Sequence, residues 1–386
     1  MAGGSPAGHR CFALAAATRP ASGGGRYAQP AQSGAGCSSN AARIGPPGRS
    51  RSADAGRSHP LGLSDSRGGC GPIALFLQRC FDGLANGAIY SSLALALVIV
   101  YRSTGLLNVA QGEMATFSTY IGLIVHSPVT PALAGTELAH ALLPGSPWPI
   151  WASIGAAIVV GAVVSAGAER LVIRRLPDPS GANVVSATVG ILLLVNGLTE
   201  RTWRAVLRAF PPAFPNDARD FISIGEARLR YVTIGTWATL LVVLMALWIV
   251  LRFTKIGLAF RAVSSSPQIS ELLGIRAGRV ATVGWALAGG IGALAGCLVA
   301  PTVLLEPGMM VRVLIYSLVA ATIGGLDSLG GAVLGGMLVG VAQTMIGGYV
   351  LVFGSQLSLP GALLVMVLVL MWRPTGLFGT RKVERV

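Results

Sequence analysis

Five polar side chains stand inside stretches that are otherwise apolar: Asn86, Asn108, Gln111, Glu113 and Asn196. In hydrocarbon such groups are costly unless they face a bundle interior or water, so they are candidates for the lining of a solute pathway. Asn108 and Gln111 are spaced i, i+3, which puts them on one helical face beside the backbone of Gly112. The same groups would serve equally well as interhelical hydrogen-bonding partners that touch no solute. Other chemistry is sparse. The only lysines are Lys255 and Lys382, and neither stands in a G-x-x-x-x-G-K pattern, which excludes a P-loop. His9, His59, His126 and His140 form no H-E-x-x-H, and no G-x-S-x-G elbow occurs. Cys11, Cys37, Cys70, Cys80 and Cys297 are scattered and odd in number, against both a disulfide framework and a metal site. The chain reads as no enzyme, with no cofactor of its own.

A second chemical concentration lies at 254–279, TKIGLAFRAVSSSPQISELLGIRAGR, the only long polar interruption in the last third. Lys255, Arg261, Arg276 and Arg279 face one acid, Glu271. Ile256, Phe260 and Val263 follow i, i+4, i+7 and would share one helical face. Ser266 is placed to cap a new turn, with Pro267 at its first position, where a missing N–H costs nothing. Ile269, Leu272 and Leu273 make a second apolar face, and Gly274 can end it in a left-handed conformation. The expectation is a short broken helix at the membrane surface. It is either a dock for a soluble partner or a basic loop that orients its neighbours.

Lys255-x-Gly257-x-Ala259-x-Arg261-Ala262, then Glu271-Leu272-Leu273-Gly274-Ile275, resembles the coupling loop of branched-chain amino acid ABC transporter permeases. Four more stretches agree in order and spacing: Asn86-Gly87-Ala88-Ile89-Tyr90, Leu107-Asn108-Val109-Ala110-Gln111-Gly112-Glu113, Gly324-Gly325-Leu326 and Arg373-Pro374-Thr375-Gly376-Leu377-Phe378-Gly379. Two positions depart from that family's usual pattern: Gln111 stands where histidine is common, and Ser270 where alanine is usual. The resemblance implies an H-type permease subunit in the bacterial inner membrane, importing branched-chain or similar apolar amino acids. It implies that Lys255, Gly257, Phe260, Arg261, Ala262, Glu271, Leu272 and Gly274 couple to a cytoplasmic ATPase, which would cover Phe260, Val263, Leu272 and Leu273. It also implies a second permease subunit, two ATPase subunits that bind the ATP, and an extracytoplasmic solute-binding protein. Lipid surrounds the whole, and nucleic acid has no part. The other reading is an ion-coupled secondary transporter or channel, for which Asp82, Glu113 and Asp327 are the titratable candidates.

The elements that must position these residues follow from composition. The 386 residues are 53% hydrophobic and 11% charged, with mean hydropathy +0.67. Soluble domains carry about 25% charged residues. The fold class is therefore all-α, a polytopic transmembrane bundle of about nine spans, with eight to ten as the range. The apolar runs are 73–101, 106–126, 150–173, 184–200, 231–251, 280–300, 313–323, 332–350 and 359–372. Four glycine pairs have G-x-x-x-G spacing: Gly83 and Gly87, Gly292 and Gly296, Gly331 and Gly335, Gly336 and Gly340. They allow close helix contact, for plain packing or for sliding between access states. Dense glycines at 324–331 predict an irregular backbone around Asp327. The net charge of +14 does not signal nucleic acid, because the basic residues are dispersed among apolar segments. Positive loops at 170–183 and 252–279 and the tail Arg381-Lys382-Val383-Glu384-Arg385 belong on the cytoplasmic side. That places 127–149, the Arg-containing loop 201–230 and the N-terminus outside. Residues 1–70, with eight Arg and two Asp among Gly, Ala, Ser and Pro, have no burial pattern. They read as a disordered or mis-assigned extension, or as a transit-like segment, before a permease domain at 71–386.

Overall fold

The computed structural model describes residues 72–126, 149–176, 181–216, 221–224, 227–349, 358–373 and 376–379. The expectations for 1–70, for most of 127–149 and for the basic tail fall outside these residues. Among the described residues there are eleven α-helices. They are α1 (Pro72–Thr104), α2 (Gln111–His126), α3 (Ile150–Leu171), α4 (Gly181–Trp203), α5 (Tyr231–Phe253), α6 (Lys255–Ser265), α7 (Pro267–Leu272), α8 (Ala277–Val303), α9 (Met310–Gly324), α10 (Leu329–Tyr349) and α11 (Ser358–Trp372). Each of the nine anticipated apolar runs forms a helix. Six of these helices are long and apolar enough to cross a bilayer: α1, α3 with the 3₁₀ turn after it, α4, α5, α8 and α10. The other three, α2, α9 and α11, have 16, 15 and 15 residues.

One departure from an all-helical chain lies in the loop expected at 201–230. Strands β1 (Phe221–Ile224) and β2 (Ala227–Arg230) pair antiparallel, with Phe221 opposite Arg230 and Ile222 opposite Leu229. Two β-prone runs separated by two residues, Gly first, are a hairpin signal that hydropathy overlooks. The Arg228 amide donates to Gln78 Oε1 at 2.9 Å and ties the hairpin to α1.

At the centre are α1 and α8. Ala88 to Val100 is buried without interruption, and most of α8 is covered as well. Small residues explain how neighbours reach them. A Cβ on Gly87 would lie 2.8 Å from the Met337 Cα, and one on Gly340 would run into Gly87 itself. The α1 and α10 backbones therefore touch, crossing antiparallel, with Ser91 Oγ donating to the Val333 carbonyl at 2.8 Å. Lipid tails give no hydrophobic drive for helix pairing, so this close approach and its hydrogen bonds must supply the association. Gly161 and Gly289 make an equivalent contact between α3 and α8. The irregular stretch expected at 324–331 is narrower than read. Gly325, at φ +98°, ends α9, and α10 resumes at Leu329. The amides of Leu377 and Phe378 close over the bend, donating to the carbonyls of Ile323 and Gly324 at 2.8 and 3.2 Å.

Candidate functional site

The polar group begins where α2 begins. The run expected as one helix from 106 is helical only from Gln111. Asn108 explains why: its Oδ1 accepts from the Ala110 amide at 3.0 Å, a local turn that competes with helix. Its Nδ2 donates to Gln111 Oε1 at 3.0 Å, so the i, i+3 pair does meet, across the helix start rather than along a face. Gln111 Nε2 in turn donates to the Ala288 carbonyl at 2.8 Å. Ala288 lies midway along α8, so α2 starts deep in the bundle, and Asn108 and Gln111 are fully buried there. Non-helical backbone at that depth survives because protein surrounds it. Gln111 uses one donor and one acceptor, the capacity that a neutral histidine also has.

Further along, α2 and α4 run side by side. Glu113, Phe117 and Tyr120 form one stripe of α2, and Asn196 and Trp203 one stripe of α4. Asn196 Nδ2 donates to Glu113 Oε2 at 3.2 Å. Phe117 meets Trp203 edge-on at 5.5 Å between centroids, and Tyr120 stacks on Trp203 at 4.8 Å and 15°. Glu113 is 1% exposed, and its Oε1 has no hydrogen-bond partner. The Gly308 backbone also lies by the carboxylate. Two residues nearby hold positive φ without being glycine, Arg204 at 58° just after α4 and Leu304 at 69° just after α8. Such conformations cost about 1–3 kcal/mol each and persist only where the surroundings enforce them. Between them Arg208 and Leu305 bridge through paired backbone bonds of 3.0 and 2.9 Å. Asn86 belongs elsewhere. It shares a face of α1 with Tyr90, which stacks on Tyr316 of α9 and donates to Gln343 of α10 at 2.6 Å. The structure thus makes two separate pairs, Asn108 with Gln111 against α8 and Glu113 with Asn196 toward α4, and leaves Asn86 apart.

The segment 254–279 folds as α6, a break, and α7. Thr254 caps α6 through the Gly257 amide, and Ser266 accepts from the Ile269 amide at 3.5 Å, with Pro267 at the first turn of α7. Gly274 sits at φ +81°. The buried face of α6 is the one anticipated at Phe260 and Val263, but not at Ile256. Gly257, Phe260 and Val263 turn inward and are buried, while Ile256 is exposed. Gly257 makes this possible, because a Cβ there would press against Leu251 and α6 could not fold back so tightly on α5. Phe260 and Val263 pack with Leu95, Ile99, Leu247 and Val280. They are therefore covered by this chain itself, a correction to the expectation that a partner would cover them. Leu272 and Leu273 remain 88% and 75% exposed. Lys255, Arg261, Glu271 and Gly274 are exposed as well, and Ala262 is half-buried. Ser270 is buried, with its hydroxyl satisfied by the Ser266 carbonyl at 2.8 Å. Arg102, Arg252 and Arg261 line a cleft of about 470 Å³ beside Phe260. Asp327 lines a second cleft at this end, with Arg102 and Arg174.

Sequence reasoning missed one polar network. Glu169 of α3 receives the Arg174 Nε and Nη2 at 3.1 and 2.9 Å and the Thr282 hydroxyl at 2.7 Å. Arg174 also donates to the Gly278 carbonyl and to Thr282. The network clasps α3 to the start of α8, beside α7. Its signal was a lone acid, Glu169, among the arginines that end the third apolar run.

A family model described as "Branched-chain amino acid transport system / permease component" matches residues 79–372. The chain is 27% identical over 313 residues to the high-affinity branched-chain amino acid transport system permease protein BraD of Pseudomonas aeruginosa, covering 81% of this chain and 98% of that protein. It is 25% identical over 317 residues to the permease protein LivH of the corresponding system in Escherichia coli K12, covering 81% and 98%. The probable LivH of Methanocaldococcus jannaschii is 26% identical over 318 residues, covering 78% and 94%. A solved structure, "PsaBC from Streptococcus pneumoniae in complex with Fab", aligns at TM-score 0.41 and 13% identity over 77% of this chain and 95% of that one, too slight a likeness to argue from.

Proposed function

Because the chain belongs to the permease-component family of branched-chain amino acid transport systems, we propose that it is the membrane permease subunit of an ABC importer for branched-chain or similar apolar amino acids. It is a multi-pass protein of the inner membrane. The observation that carries the reading is the family match itself, which runs through all six long apolar helices and the segment α6–α7 between them. In this reading all nine apolar helices lie within the membrane. Arg102, Arg174, Arg252, Arg261, Arg276 and Arg279 gather at the α6–α7 end, which the positive-inside rule assigns to the cytoplasm. Of the two ATPase subunits that drive the importer, one docks there, against Leu272, Leu273 and the exposed charges Lys255, Arg261 and Glu271. Gly257 and Phe260 act indirectly, by seating α6 on the bundle so that motion of the ATPases reaches α1, α5 and α8. A second permease subunit completes the pathway, a solute-binding protein delivers substrate from outside, and ATP is bound only by the partner ATPases. Asn108, Gln111, Glu113 and Asn196 line the pathway in this subunit. Residues 1–70 are dispensable to it.

The test is uptake in proteoliposomes that hold the complete complex with its loaded binding protein. Leucine, isoleucine or valine should enter in an ATP-dependent way, well ahead of lysine or glutamate. Preference for a charged solute would remove the substrate assignment. Uptake by this chain alone, driven by an ion gradient without ATP, would make it a secondary transporter instead.

A further inference from the structure

We propose that Glu113 receives the α-ammonium group of the amino acid in transit, while the Tyr120–Trp203 stack closes the path on the side away from α6–α7. The proposal rests on the amino acid permease reading above and names the group of the substrate that this site recognises.

Three observations carry it. Among the described residues six buried side-chain polar atoms lack a hydrogen-bond partner, and three of them, Glu113 Oε1, Tyr120 Oη and Trp203 Nε1, lie on the single seam between α2 and α4. A fourth, Arg208 Nε, adjoins it, since Arg208 Nη2 donates to the Trp203 carbonyl at 2.9 Å. Buried polar groups are nearly always paired, so their concentration here marks a place that another molecule completes. Next is the state of the carboxylate. One oxygen accepts from Asn196, the other meets no side-chain donor although the Gly308 backbone lies by the carboxylate, and a carboxylate can only accept. The ligand that answers it is a cationic donor, for which charge assistance makes the strongest bond. Substrates that vary in their apolar side chains share one such group, the α-ammonium. The last is direction. Glu113 is the third residue of α2, where an acid often serves its own helix end. Here its bond runs across to α4 instead, so helix capping does not account for it.

The order along the seam gives the gate. Thr119 of α2 lies by Cys297 of α8, as Gln111 lies by Ala288, so the two helices run parallel and Tyr120 is farther than Glu113 from the α6–α7 end. The stacked pair therefore covers the carboxylate from the outside. α4 is held chiefly against α2, so separating this one seam would open it.

The experiment compares wild type, Glu113→Gln and Glu113→Asp in the reconstituted complex, with melting temperature and recovery of the ATPases as assembly controls. Leucine uptake should fall about tenfold or more in Glu113→Gln and recover in part in Glu113→Asp. Uptake at the wild-type rate in Glu113→Gln overturns the proposal, as does a parallel loss of melting temperature and uptake, which would mark a structural role. A second measurement uses the unaltered complex. Leucine and 3-methylbutylamine should protect Glu113 from an apolar carbodiimide, and 4-methylpentanoate, which lacks the amine, should not. Equal protection by the amine-free acid, or none by leucine, overturns the assignment. A wild-type complex that carries no amino acid at all would instead remove the permease reading on which this rests.

Discussion

Phe260 and Leu272 stand on the same polar segment and answer to different neighbours. Phe260 is 5% exposed and fills the corner between α1, α5 and α8. Its replacement by Ala should cost about 3–5 kcal/mol, the range for emptying a buried aromatic site. Leu272 is 88% exposed, so Leu272→Ala should leave folding within about 0.5 kcal/mol of wild type. It should instead weaken ATPase association. Thermal unfolding of each variant, followed by co-purification with the ATPases, separates the two roles. A Leu272→Ala protein that melts early, or one that binds ATPase as well as wild type, would refute the division. The same pair marks how far local sequence carries. The cap at Ser266, the proline after it and the left-handed Gly274 are each set by one or two residues, and all were legible. What covers the buried face of α6 was not, because an i, i+4, i+7 pattern identifies a stripe without naming its neighbours. Gly257 takes the place of Ile256 in that stripe through a close approach to Leu251 that no spacing encodes.

At the level of elements, the clasp between α3 and α8 depends on an acid whose side chain is 4% exposed and an arginine that is 38% exposed. Breaking a fully buried pair costs about 3–5 kcal/mol, and the half-open Arg174 lowers that, so Glu169→Ala should destabilise by about 1–3 kcal/mol. The denaturation midpoint of the solubilised protein reads this directly. An unchanged midpoint would place the pair with the many surface ion pairs that contribute nothing measurable. Hydropathy located all nine apolar helices, since burial in lipid is written into composition. It overstated α2, because Asn108 at i, i+3 from Gln111 fits a helix and a turn equally. Only the Ala110 amide, taken by Asn108, decides between them. Glu113 and Asn196 were both picked out as polar exceptions. Their union was not legible, since 83 residues separate them along the chain.

For the whole molecule, outward faces of α3, α4 and α5 carry large exposed side chains, among them Val159, Leu194 and Leu241. That surface suits lipid or the proposed second permease subunit, and residues 1–70 are proposed to be dispensable. A chain beginning at Gly71 should therefore insert, assemble and transport as the full chain does, checked by membrane recovery and leucine uptake. Loss of either would give the N-terminal segment a structural duty. The bond from Gln111 to Ala288 bears on how the protein is made. Its partners lie 177 residues apart. At about 5–20 residues per second, synthesis takes on the order of 10–35 s to supply the second partner. For that interval α2 has already left the ribosome with the Gln111 amide nitrogen unmatched, too short and too polar to settle in lipid by itself. It must be sheltered against α3, its main neighbour made earlier, until α8 arrives, so the arrival of α8 sets the pace at which the bundle closes.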